Sequence, residues 1–78
     1  MSLDTSDIAR VLNANYIAAA KLLADAAREI EEAATAADQS QINLAIGAAI
    51  GAEAAAQRAL TLIQAASAIR SPTSRTGR

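Results

Sequence analysis

Ala33-Ala34-Thr35-Ala36-Ala37-Asp38-Gln39-Ser40-Gln41-Ile42 is the stretch whose reading settles the fold. Alanine loses no side-chain entropy on entering a helix, and neither glycine nor proline lies between Ile8 and Ile46. On propensity alone one helix could run straight through. The phase of the apolar residues argues for a break. Upstream, Ile8, Leu12, Asn15, Ala19, Leu22, Ala26, Ile30, Ala33 and Ala37 recur mainly at spacings of three and four, the stripe of an amphipathic helix. Continued past Ala37, that stripe lands on Ser40 and Gln41. Downstream, Ile42, Ile46, Ala49, Glu53, Ala56, Leu60 and Ile63 alternate strictly by four and three, a heptad seam that starts in a different phase. The slip coincides with a polar patch, so the sequence predicts an all-α antiparallel hairpin of helices over about 6–37 and 40–70. A single long helix is the alternative.

Local signals set the expected ends. Asp4-Thr5-Ser6-Asp7 offers capping oxygens and acids suited to the positive end of a helix dipole, which puts the first helix start near Ser6. Asp38-Gln39-Ser40-Gln41 has the spacing of a capping box, with Asp38 as the cap of the second helix. Arg70-Ser71-Pro72 ends that helix, because the residue before proline is pushed out of helical geometry. Each helix is then about thirty residues, or roughly 45 Å at 1.5 Å per residue. Residues 1–70 form one hairpin domain, and the small, polar, basic residues 71–78 are expected to be disordered.

A lone hairpin offers one seam, and much of that seam is alanine, which brings little apolar area per residue. Between Gln39 and Ala52 no residue carries a charge, and a helix that is apolar or small nearly all round is normally buried. On the second helix the large residues occupy two faces: the heptad seam, and a second face of Leu44, Ala48, Gly51, Ala55, Leu62 and Ile69. Two faces imply two neighbours, so other copies or a partner must cover one. Gly47, Gly51 and Ala55, one turn apart, add a small-residue patch suited to close helix contact. The expected packing residues are therefore Leu12, Asn15, Ala19, Leu22 and Ala26 on the first helix. On the second they are Ile42, Ile46, Gly47, Ala48, Ala49, Gly51, Glu53, Ala55, Ala56, Leu60 and Ile63.

Net charge is only −1, but acids gather toward the bend and bases toward the C-terminus. Glu29, Glu31, Glu32 and Asp38 face Arg70, Arg75 and Arg78 across the length of a hairpin. One reading is solvation and dipole matching; a sharper one is a head-to-tail contact between acidic bend and basic tail that builds a filament. Glu53, on an otherwise apolar seam, either points to solvent or sits opposite Ala24 within reach of Lys21 or Arg28, where a pair would fix register more than add stability. Asn15 can play the same part on the first helix.

Chemistry has little to work with. There is no histidine and no cysteine, so Ser and Thr lack an activating base and soft metal sites lack ligands. Gly47 and Gly51 lie in a helical pattern with no following lysine, unlike a phosphate-binding loop. Tyr16 alone is aromatic, which leaves no stacking surface for bases, and the folded part is acidic. An enzyme, a cofactor, nucleic acid as partner and a membrane span are not expected. The acidic N-terminus is unlike a secretory signal, so the expected location is cytoplasmic, or outside by a signal-independent route.

The reading that unites these features is a self-assembling structural subunit, a closed homo-oligomer or a polymer. The alternative is an adaptor or chaperone whose apolar face takes another protein's helix. In layout the chain resembles the two-helix subunits of bacterial secretion needles, and its alanine-rich helices resemble those of coiled ribbon assemblies. It departs from the needle pattern where Asp38-Gln39-Ser40-Gln41 replaces a proline-bearing turn and where Pro72 precedes a tail. The likeness is one of architecture, which implies little about function.

Overall fold

The structure, a computed structural model, describes residues 4–68. Two helices, α1 (Thr5–Asp38) and α2 (Ile42–Ser67), lie antiparallel and pack along their length, and no strand occurs among the described residues. The hairpin is a slab of 56 × 26 × 15 Å, one helix thick.

Asp4 caps α1 from an extended backbone (φ −82°, ψ 173°), its Oδ1 accepting from the Asp7 amide at 2.9 Å. That satisfies one of the four orphan donors of the first turn and puts a carboxylate at the positive end of the dipole. Thr35, Thr61 and Ser67 sit within helices by donating to the carbonyls four residues earlier, at 3.0–3.1 Å.

The turn occurs where the phase slips, but by another device than expected. Ser40 takes a left-handed conformation, φ 63°. The Gln41 amide donates to the Ala36 carbonyl at 2.8 Å and the Ser40 amide to the Ala37 carbonyl at 3.0 Å. Those are the six-to-one and five-to-two bonds of a Schellman closure, which satisfies the Ala36 and Ala37 carbonyls near the end of α1. The capping box is therefore corrected: Asp38 is the last residue of α1, and Gln41 precedes α2 with no side-chain cap bond. The chain reverses about Ser40, two residues later than a box on Asp38 requires. The expected end of α2 at Arg70, the tail 71–78 and Ile69 lie outside the described residues.

Every buried residue among those described is an alanine: Ala19, Ala26 and Ala36 on α1, Ala52, Ala55, Ala59 and Ala66 on α2. The inward seam of α1 is Ile8, Leu12, Asn15, Ala19, Leu22, Ala26, Glu29, Ala33 and Ala36, all buried or half-buried, in unbroken four-three alternation. It follows the expected stripe up to Ala26. There the stripe is corrected: Glu29 and Ala36 turn inward, and Ile30 and Ala37 are exposed. Helix geometry sustains the alternation and overrides the larger hydrophobicity of isoleucine one position away. On α2 the inward seam is Ala45, Ala48, Ala52, Ala55, Ala59, Leu62 and Ala66. It shares Ala48, Ala55 and Leu62 with the second face of the sequence reading, whose Leu44 is exposed, and the isoleucine-bearing heptad faces away. Short side chains let the two axes approach closely, since interaxial distance follows the residues at the contact.

Candidate functional site

Register across the hairpin is fixed midway. Ala26 clusters with Ala52 and Ala55, and Ala56 packs against them. One turn on, the Glu29 carboxylate lies over Gly51, where an added Cβ would meet Glu29 Oε1 at 3.3 Å. Glu29 Oε1 is buried with no hydrogen-bond partner, so the seam carries one unsatisfied acceptor, a defect that in water-excluded surroundings costs free energy. Gly51 thus accommodates a side chain rather than a helix backbone, while a Cβ on Gly47 would meet nothing within 4 Å.

In this register Glu53 lies level with Ala27, not with Ala24, because the chain reverses at Ser40. Glu53 is exposed, and the ion pairs found among the described residues are elsewhere: Arg10 with Asp7 and Arg28 with Asp25, each at 3.1 Å. The expected reach of Glu53 to Lys21 or Arg28 is not realised. Both observed pairs are local and well exposed, a geometry that contributes little stability.

With about 100° between successive residues, positions one residue C-terminal to each inward seam fall on the same broad side of an antiparallel pair. From α1 that side presents Tyr16, Ala20, Leu23, Ala27, Ile30, Ala34 and Ala37; from α2 it presents Ile42, Ile46, Ala49, Glu53, Ala56, Leu60 and Ile63. Tyr16, Leu23, Ile30, Ile42, Ile46, Leu60 and Ile63 are exposed, Ile42 to 59% and Ile63 to 37%. Glu53 is the one charged residue in this pair of rows. Positions one residue N-terminal to the seams fall on the other side, which carries Asp7, Lys21, Asp25, Arg28, Glu32 and Arg58. A shallow notch of about 310 Å³ at the bend is lined by Arg28, Glu31, Glu32, Thr35 and Ala36 of α1, by Gln39 and Gln41, and by Leu44 of α2. The two broad sides differ in charge: one carries Glu53 as its one charged residue, and the other carries most of the charges together with the exposed Val11 and Leu44.

The residues expected to pack helices divide accordingly. Ala19, Ala26 and Ala55 are buried within the hairpin, and Leu12, Asn15, Leu22, Ala48, Ala49, Gly51 and Ala56 are half-buried. Ile42, Ile46, Gly47, Glu53, Leu60 and Ile63 are exposed. Of the charged set, Glu29 is half-buried on the seam and Glu31, Glu32 and Asp38 are exposed near the bend, while Arg70, Arg75 and Arg78 lie outside the described residues. Ala45, Ala52, Ala59 and Ala66 were missed as packing residues. They recur every seven residues, as regularly as the isoleucine-bearing heptad, but a search by hydrophobicity passes over alanine.

No helix among the described residues is long and apolar enough to cross a membrane. The architecture is that of an antiparallel helical hairpin. Comparison with protein-family models, with curated proteins and with solved structures found no match.

Proposed function

We propose that this protein is a non-enzymatic structural subunit that assembles with copies of itself, as a closed helical bundle or as a filament. The observation that carries this reading is the contrast between core and surface. Every buried residue among those described is an alanine, while seven of the eleven exposed large apolar side chains, among them Leu23, Ile30, Ile42, Ile46, Leu60 and Ile63, lie on one broad side. Ordering each residue costs roughly 1–2 kcal/mol of conformational entropy, and large aliphatic side chains are the ones that offset it when buried, at about 1.5–3 kcal/mol apiece. A second copy on the apolar face would supply that burial. Acids at the bend and Arg70, Arg75 and Arg78 beyond α2 offer a head-to-tail contact that would extend such units into a polymer.

Light scattering on a sizing column, over a hundredfold range of concentration and with negative-stain microscopy of the excluded fraction, tests the proposal. A discrete mass of two to six subunits supports a closed bundle, and regular filaments support a polymer. For filaments, replacing Arg70, Arg75 and Arg78 together with glutamine is expected to shorten them. A molten monomer that orders only when another protein's helix is supplied would overturn self-assembly in favour of an adaptor.

A further inference from the structure

We infer that the apolar face packs on the same face of a second copy about a twofold axis that lies in the interface, crosses both helices at right angles and passes over Ala27 and Glu53. This rests on the self-assembly proposed above and specifies its first contact. Along α2 the outward row runs large, large, small, acid, small, large, large from Ile42 to Ile63, and it reads alike in both directions about Glu53. An antiparallel copy then sets Ile42 against Ile63, Ile46 against Leu60 and Ala49 against Ala56. Along α1 the outward row from Ala20 to Ala34 runs small, large, small, large, small about Ala27. An antiparallel copy sets Leu23 against Ile30 and Ala20 against Ala34.

The two centres of symmetry are independent in sequence but coincide in the fold. Glu29 over Gly51, and Ala26 with Ala52 and Ala55, fix a register in which Ala27 lies level with Glu53. One axis therefore serves both rows, and the contact is isologous, with each residue facing its counterpart reciprocally. Volumes agree as well. The layer that holds Leu23 and Ile30 of the two copies on α1 holds Ala56 and Ala49 on α2, and the next layer holds two alanines beside Leu60 and Ile46. Both of these layers combine two large and two small side chains, the alternation that lets facing rows interdigitate; in the outermost layer, where Tyr16 faces Ala37 beside Ile63 and Ile42, the match gives way to three large and one small. Two helices about 10 Å wide with a shared length near 40 Å present on the order of 800 Å² per copy, the size of a standard specific interface.

Glu53 opposes its own copy beside the axis. The described basic residues, Arg10, Lys21, Arg28 and Arg58, all fall on the charged side or its outer edge by helix phase. The two carboxylates thus repel without compensation, which weakens the pair; in a shifted register each would instead be set against the apolar residues of the row and lose its water.

The chain has no native cysteine, so single cysteines report the geometry in the full-length protein. Ala27→Cys is expected to oxidise rapidly to a disulfide-linked dimer, because like residues beside a twofold axis come within disulfide reach. Arg58→Cys, on the charged side, is expected to stay monomeric on a denaturing gel. Glu53→Gln is expected to tighten association roughly fivefold, and an equimolar mixture of wild type and Glu53→Lys to give more mixed dimer than the statistical half. Self-association of the wild type with faster linking at Arg58→Cys than at Ala27→Cys, or a statistical mixture, would overturn this face and leave the assembly proposal intact. Wild-type chain that stays monomeric at every concentration would overturn both.

Discussion

The two seams of α2 have the same regularity and opposite content. The seam that meets α1 reads Ala45, Ala48, Ala52, Ala55, Ala59, Leu62, Ala66; the seam turned out reads Ile42, Ile46, Ala49, Glu53, Ala56, Leu60, Ile63. Hydrophobic content alone would have put the isoleucines inside. What decides the orientation is that α1 already supplies Ile8, Leu12 and Leu22 to the shared seam, so that α2 closes best with short side chains and small separation. The residues with the most apolar area are then left exposed on the hairpin.

The largest way to break that comparison acts on the outer seam. Changing Ile46 and Leu60 together to aspartate is expected to weaken assembly at least a hundredfold, about 2.7 kcal/mol, while dilute protein keeps its helical circular dichroism. Unchanged mass would show that the outer seam is solvent-facing in the assembly too. On the inner seam, Ala59 is fully buried, 0% exposed. Ala59→Leu is expected to destabilise the hairpin by about 1–3 kcal/mol through overpacking, read as a lower thermal midpoint; a midpoint that rises would mean the helices are not in close contact there.

Smaller effects sharpen the picture. Glu29 buries an unpartnered oxygen between the helices, so Glu29→Leu is expected to stabilise by about 1–2 kcal/mol, measured by urea unfolding. A loss of stability would assign the carboxylate a partner. Ser40 holds a positive φ of 63°, which glycine adopts without strain, and Ser40→Gly is expected to add up to about 1 kcal/mol; a destabilised variant would argue against the left-handed closure. The last pair contrasts the glycines. Gly47→Ala, into open space, is expected to raise stability by about 0.5–1 kcal/mol, and Gly51→Ala by less, because Glu29 must shift. Equal gains would show that Glu29 does not lie over Gly51.

The hairpin was legible because the apolar period changes phase at Ser40, and residues 33–38 alone would have hidden it. The inward row of α1 was legible to Ala26, where period and hydrophobicity agree. It failed at Ile30 and Ala37, where they conflict by one position and the period prevails. Turn chemistry was not legible: Asp38 and Gln41 have the spacing of a capping box, but the carbonyls of Ala36 and Ala37 were claimed first by the amides of Gln41 and Ser40. For the candidate site, the outward row of α2 from Ile42 to Ile63 was visible as a row. The apolar row of α1 through Tyr16, Leu23 and Ile30 was not, because Ile30 had been assigned to the core.

From its sequence alone this chain read as helical, with a break in the polar patch from Asp38 to Gln41 where the apolar phase slips, because propensity and period are properties of a single strand of residues. Which seam of α2 turns inward, that Glu29 joins it, and that the two outward rows share one broad side with coincident centres at Ala27 and Glu53 were decided only in three dimensions. Those outcomes depend on how closely two helices approach and on the register between them, quantities to which both helices contribute and which neither helix's sequence contains.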